Sequence, residues 1–272
     1  MRDRLPILAA KLALALSLWT QPVTAAEVLR VGGTGGATAL LEQLGRPFTQ
    51  QTGITVQVIR SLGSGGGINA AADGVLDLSV SGRPLSAAEL ARGLVTIATM
   101  RTPYVFATSH RAPPAMTGSD VVGVYSSAKA IWPDGSRVKL ILRPRAEGDN
   151  QVLIGLFPGM DAALNQARQY SDVPVAATDQ DNADFAEKLP GSLIGTTYTQ
   201  VLLERRNLRF ITIDGVHPTI EAFESGAYRH TKIFHILHPR QASPAAKRFV
   251  EFLQSEEGLR MLRAAGCLPT AG

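Results

Sequence analysis

From residue 27 onward the chain switches apolar period repeatedly, and this alternation limits what it can fold into. "EVLRVGG" (27–33) and "ITVQVI" (54–59) alternate every second residue, as half-buried strands do. Between them, "ATALLEQLGRPFTQQTG" sets Leu40, Leu41, Leu44 and Phe48 on one helical face, with Pro47 expected to bend or break that helix. "INAAADG" reads as a short helix and "VLDLSVS" (75–81) as a third strand. Ser86 and Glu89 then carry the signature of a capping box that opens another helix. Downstream, "PYVFATS", "VKLILR", "VPVAAT", "LRFITI" and "KIFHIL" read as strands. Helices are expected at 149–157, 160–170, 182–189, 199–206 and 218–225. A last helix has Ser243 as N-cap, Pro244 at its first position and Gly266 after its end. Strands and helices in turn, without hairpin signals, predict an α/β fold with a mainly parallel central sheet.

The residues before this region read differently. Basic "MRDR" precedes the apolar run "LPILAAKLALALSLW" and then small residues ending at Ala25 and Ala26, which predicts a secretory signal peptide over 1–26. The apolar run falls short of the ~20 residues that a membrane span needs. The formal net charge of the whole chain is +4. Removing the segment deletes three basic residues and one acid and leaves about +2, too little for a nucleic-acid surface. The only cysteine, Cys267, rules out a disulfide framework and a thiolate metal site, and its apolar neighbours predict packing rather than reactivity. At 272 residues the chain allows one large domain or two lobes.

Three successive strand ends carry small, hydroxyl-bearing loops: "GGTGGAT" (32–38), "SLGSGGG" (61–67) and "SGRPLS" (81–86). Each leads into a helix. Helix starts present unpaired N–H groups and partial positive charge, and glycine lets a ligand touch them. Thr34, Ser64 and Ser81 add hydroxyl donors, with Gly35, Gly65 and Gly66 as bare backbone around them. In open α/β sheets ligands sit beyond the carboxyl ends of the strands. The combination suits a small oxyanion. Each hydrogen bond to a charged group contributes roughly 1.5–3 kcal/mol, so a handful less desolvation reaches the ~8 kcal/mol of a micromolar site.

Other chemistries fit poorly. Thr38 stands where a dinucleotide fingerprint needs its third glycine, and "GSGGG" lacks the Gly-Lys-Ser/Thr of a P-loop. Ser64 is not in a nucleophile elbow. His235 and His238, three apart on a strand, point to opposite faces and cannot share a metal. "DQDNAD" (179–184) lacks the spacing of a calcium loop, and Asp179 or Asp181 is read as a helix cap. No catalytic residue, metal site or cofactor is expected.

The long segment "GTGGATALLEQLGRPFTQQTGITVQVIRSLGSGGGINAAADGVLDLSVSGRPLSAAE" resembles the phosphate-binding proteins of bacterial ABC importers. "WPDGSRVKLILRP" is similar to that family's stretch ending in an anion-binding arginine. "ITIDGVHPTIEAFESGAYRHTKIFHIL" and "AAKRFVEFLQSEEGLRMLRAAGCLPT" are similar to its return crossing and closing helix. The resemblance implies a type II periplasmic-binding fold, two α/β lobes joined by two crossovers: lobe one at 27–105 plus 210–272, lobe two at 106–209. It implies a monomeric periplasmic receptor that delivers phosphate, or a similar oxyanion, to an ABC permease. It carries the first-loop hydroxyl onto Thr34, the second-loop serine onto Ser64 and the arginine onto Arg143.

This chain departs from the family pattern in three places. The aspartate after the strand serine is Gly82, followed by Arg83; the Ser-Gly-Thr loop after the arginine is Glu147, Gly148 and Asp149; and Gly35 replaces an aromatic residue. A carboxylate ~4 Å from a bound anion costs about 4 kcal/mol at an effective dielectric of 20, more than one hydrogen bond returns. Either these acids point away, or they pair with Arg143 or Arg83, or they accept protons from the ligand. A sensor or regulator with the same fold is the competing reading.

Overall fold

The computed structural model describes residues 27–270. The signal peptide expected over 1–26 lies outside them. Strand β1 (Val28–Gly33) leads through a single 3₁₀ turn at Gly35–Ala37 into helix α1 (Thr38–Thr52). Then follow β2 (Thr55–Ile59), α2 (Gly63–Ala72), β3 (Leu78–Ser81), α3 (Ala87–Ala91) and the long β4 (Leu94–Thr108). The middle of the chain forms α4 (Gly118–Tyr125), β5 (Lys139–Leu140), α5 (Gly148–Leu156), α6 (Met160–Ala167), α7 (Asp179–Lys188), β6 (Ser192–Thr197) and α8 (Tyr198–Leu203). The return uses β7 (Arg209–Phe210), α9 (Ile220–Glu224), β8 (Thr231–Pro239), α10 (Pro244–Gln254), α11 (Glu256–Ala264) and β9 (Leu268–Pro269).

The α/β class is as expected. The sheet order is β2-β1-β3-β8-β4-β6-β5. Pairing is parallel on the flanks, β1 with β2 and β3, and β5 with β6. It is antiparallel where β8 and β4 cross between them. The apolar side chains gather into separate clusters. One joins Leu29, Leu40, Leu44, Phe48, Phe234 and Phe249; another joins Tyr104, Phe106, Val121, Trp132, Phe157 and Leu193. Strand β4 runs from one to the other, with Met100 in the first and Tyr104 and Phe106 in the second. Cys267 is fully buried in the first cluster, and burial pushes its thiol up to about 12, as a packing cysteine requires.

Several local readings need correction. Helix α1 is not broken at Pro47: it runs on to Thr52, with Leu44 and Phe48 both anchored in the first cluster and the Phe48 ring edge-on to Phe249 at 5.1 Å. The capping box at Ser86 is present, but α3 lasts only to Ala91, and β4 starts at Leu94, nine residues before the strand read as "PYVFATS", which begins at Pro103. "VPVAAT" contributes only the bridge from Val175 to Leu142. The last helix divides at Ser255, whose backbone is extended and whose hydroxyl accepts from the Gly258 N–H, so it caps a new helix. Helix α4 and strand β6 had no expectation attached to them.

Candidate functional site

The loops after β1, β2 and β3 and the start of α5 and α7 meet at one place. Thr34 closes β1, and its backbone N–H donates to Val80 O at 2.8 Å. The turn that follows leaves the Gly36 N–H free of the ladder, and it donates to Asp179 Oδ2 at 3.0 Å. Thr34 Oγ1 lies 3.5 Å from the same oxygen. A Cβ on Gly35 would come within 2.7 Å of Asp179 Oδ2 and 2.6 Å of Gln180 Oε1. Glycine is needed here because a carboxylate rests on the bare backbone.

Helix α2 begins inside the second loop. Ser64 is buried, and its Oγ accepts from the Gly82 N–H at 2.9 Å. Gly65 and Gly66 serve no tight packing: a Cβ would meet nothing within 4 Å at Gly65 and only Leu62 Cβ, at 3.5 Å, at Gly66. The demanding glycine is Gly67, where a Cβ would lie 2.5 Å from Gly33 Cα and 2.6 Å from Ser79 Oγ. It lets α2 press directly onto β1 and β3.

In the third loop Ser81 spends its hydroxyl locally, donating to Arg83 O at 2.7 Å and accepting from Arg83 N at 3.1 Å. Arg83 turns to Glu89, with bonds of 2.9 and 2.7 Å that hold the Glu89 carboxyl down to about 2. At Gly82 a Cβ would stand 3.0 Å from Lys232 Cε. The space beside Gly82 is taken by the stem of a lysine on β8.

Arg143 follows the β5 segment and is only 6% exposed. Its Nη1 donates to Ala176 O at 2.6 Å. Nη2 lies 3.5 Å from Glu147 Oε2 and 3.5 Å from Asp179 Oδ1, and Nε lies 3.7 Å from Asp149 Oδ2. Nε has no hydrogen-bond partner, although it is buried. Asp149 also pairs with Lys232 Nζ, and both side chains are almost fully buried. Burial alone would depress the Lys232 ammonium, but Asp149 and Asp179 outweigh it and hold it above its ordinary value. Burial raises the Glu147 carboxyl, against the pull of Arg143. Gly148 starts α5 and places its backbone against the Gly82 carbonyl.

Of the residues expected from sequence, the structure brings together Thr34, Gly35, Arg143, Glu147, Gly148 and Asp149, and joins Ser64 to them through Gly82. Gly65 and Gly66 lie along α2, and Ser81 and Arg83 are engaged in their own loop. Sequence reasoning missed Asp179 and Lys232. Of the two acids read as a possible cap, Asp179 or Asp181, it is Asp181 that forms the capping box of α7 with Thr178, which frees Asp179 to face Arg143. Lys232 sits in the strand-like run "KIFHIL", and an alternation that makes one strand face polar carried no sign of a partner. The cluster thus holds two cations, Arg143 and Lys232, and three carboxylates, with neutral N–H and hydroxyl donors opposite. Such buried charges need each other, since each alone is costly to desolvate. Among the described residues no group of three or more His, Cys, Asp or Glu is arranged to hold a metal ion. A groove of about 670 Å³ lies elsewhere, along β5 beside Tyr170, Pro174 and Phe185, away from these charges.

Comparison with known proteins follows the same lines. A protein from Clostridium perfringens, described as a phosphate ABC transporter substrate-binding protein and solved with bound phosphate, shares the fold at a TM-score of 0.76 and 15% identity, covering 90% of this chain and 100% of that one. An ABC-type phosphate transport receptor from Vibrio cholerae aligns at a TM-score of 0.62 and 18% identity, over 88% and 99% of the two chains. The CcmR regulatory domain of Synechocystis, solved in complex with 2-PG, aligns at 0.52 and 16% identity, over 84% and 95%. No curated protein matches the sequence. The model of the PBP superfamily domain matches residues 20–257, and the chain belongs to that superfamily.

Proposed function

We propose that this protein is a solute-binding receptor for a small oxyanion, with phosphate first among the ligands. Two lobes, 27–105 plus 210–272 and 106–209, close on the anion, and the receptor delivers it from the periplasm to an ABC permease. The observation that carries this reading is Arg143: a guanidinium 6% exposed, with one N–H unpartnered, opposite the backbone and hydroxyl donors of the glycine loops. Thr34, the Gly36 N–H and Ser64 supply the facing donors. The phosphate-bound relative from Clostridium perfringens supports the choice of ligand. The reading is capture and release without turnover.

Calorimetry of the mature chain against phosphate, sulfate, molybdate and a phosphonate tests it. Phosphate binding is expected, weakened at least tenfold by Arg143→Ala in a variant that still folds, about 1.4 kcal/mol or more. Unchanged affinity in that variant refutes the assignment. The fold shared with a regulatory domain favours a sensing role as second reading. Failure of the phosphate-loaded protein to engage its permease subunits would move the conclusion to it.

A further inference from the structure

The donors assigned to the ligand already hold an anion, and that anion belongs to the chain. Asp179 takes a hydrogen bond from the Gly36 N–H at 3.0 Å, lies 3.5 Å from Thr34 Oγ1, and lies 3.5 Å from Arg143 Nη2. One carboxylate therefore joins the glycine turn after β1 to the guanidinium after β5. Gly35 is open enough for it, because a side chain there would strike Asp179. We infer that Asp179 is a built-in competitor for the oxyanion: it occupies the site when no ligand is bound, and a ligand must displace it.

Several observations support this assignment, which rests on the oxyanion reading of the site. Helix α7 does not need the carboxylate for capping, since Thr178 Oγ1 accepts from Asp181 N at 3.0 Å and Asp181 Oδ2 accepts from Thr178 N at 3.0 Å. The backbone of Asp179 is held independently, its carbonyl accepting from Gln200 Nε2 at 3.0 Å. The neighbouring Gln180 donates to Gly35 O at 3.0 Å, which fastens the same turn to the start of α7. Charge points the same way. Glu147, Asp149 and Asp179 already exceed Arg143 and Lys232 by one negative charge, so an added anion is repelled unless a carboxylate gives up its place. Asp149 is tied to Lys232 on β8, and Glu147 makes only a long contact with Arg143. Asp179 is the acid that sits on the neutral donors.

The test uses the mature chain and its Asp179→Ala and Asp179→Asn variants, in phosphate-free buffer and with inorganic phosphate. Circular dichroism checks that each folds, and the capping box should keep α7 intact. Competition predicts that Asp179→Ala binds phosphate at least tenfold more tightly than the parent, with Asp179→Asn between them. It also predicts that, without ligand, the Gly36 amide exchanges slowly in the parent and much faster in Asp179→Ala, as followed by NMR. Equal or weaker binding in Asp179→Ala, where the parent binds, overturns the inference and makes Asp179 part of the ligand's own shell. If no form binds phosphate, the oxyanion reading falls by itself. The amide then decides: unchanged Gly36 exchange removes the competitor, and faster exchange in the variant keeps Asp179 as the occupant of that turn.

Discussion

The two sides of the charged cluster are built on opposite principles. The side formed by the loops after β1, β2 and β3 is neutral: backbone N–H groups, two hydroxyls and glycines that permit close approach. The side formed around α5 and α7 is made of full charges, one guanidinium ringed by three carboxylates. Lys232 crosses from the first side to the second through Asp149. Steric room determines the neutral side, so it breaks when an atom is added. Pairing determines the charged side, so it breaks when a partner is removed. The largest effects should come from the charged side.

Lys232→Met should destabilise most. It leaves Asp149 buried with only a long contact to Arg143 Nε, and removing one partner of a buried pair costs about 3–5 kcal/mol. The double variant Lys232→Met, Asp149→Leu should recover most of that loss, because no charge is then stranded. Urea denaturation of the two variants decides the matter. A double variant no more stable than the single would show that the pair does not act as a unit.

Next in size is a methyl on the neutral side. Gly67→Ala drives a Cβ into Gly33 and Ser79 and should cost about 1–3 kcal/mol. Gly65→Ala meets open space and should instead gain up to ~1 kcal/mol from helix propensity. Equal melting temperatures for the two would remove the distinction between a packing glycine and a free one within a single helix.

Ser64→Ala should cost about 1–3 kcal/mol, since the Gly82 N–H loses its acceptor near the buried cluster. A loss of phosphate affinity without loss of stability would show that the hydroxyl serves the ligand rather than the loop.

The smallest effect is a pH slope. Burial raises the Glu147 carboxyl above its ordinary 4.5, opposed by Arg143, with Asp179 and Asp149 adding to the rise and Lys232 opposing it. The folded chain therefore keeps this proton where the unfolded chain has lost it. The contribution of Glu147 to stability is greatest below pH 4.5, declines as pH rises toward the folded value, and is level above it. Glu147→Gln should flatten that decline. A variant whose stability follows pH as the parent's does would place the slope on another group.

Much of the neutral side was legible in the sequence, because glycine and hydroxyl residues are concentrated at strand ends within a short span. Thr34, Gly35 and Ser64 could be named from that pattern alone. Arg143, Glu147 and Asp149 came through resemblance and departure from it. Asp179 did not, since an acid at a helix start reads as a cap, and its partners lie 143 and 145 residues away. Lys232 was hidden for the same reason, 83 residues from Asp149. The 94–102 stretch of β4 was missed, since only the end of that strand, from Pro103, was read as one.

What the sequence determined by itself is local: the apolar periods that make strands and helices, the caps that start them, and the glycines that leave N–H groups bare. These follow from interactions within a few residues. What only the tertiary structure decided is which acid meets which base. Ion pairs are set by distance in space: Lys232 on β8, which pairs antiparallel with β4, meets Asp149 at the start of α5, and the start of α7 sets Asp179 on the Gly36 amide.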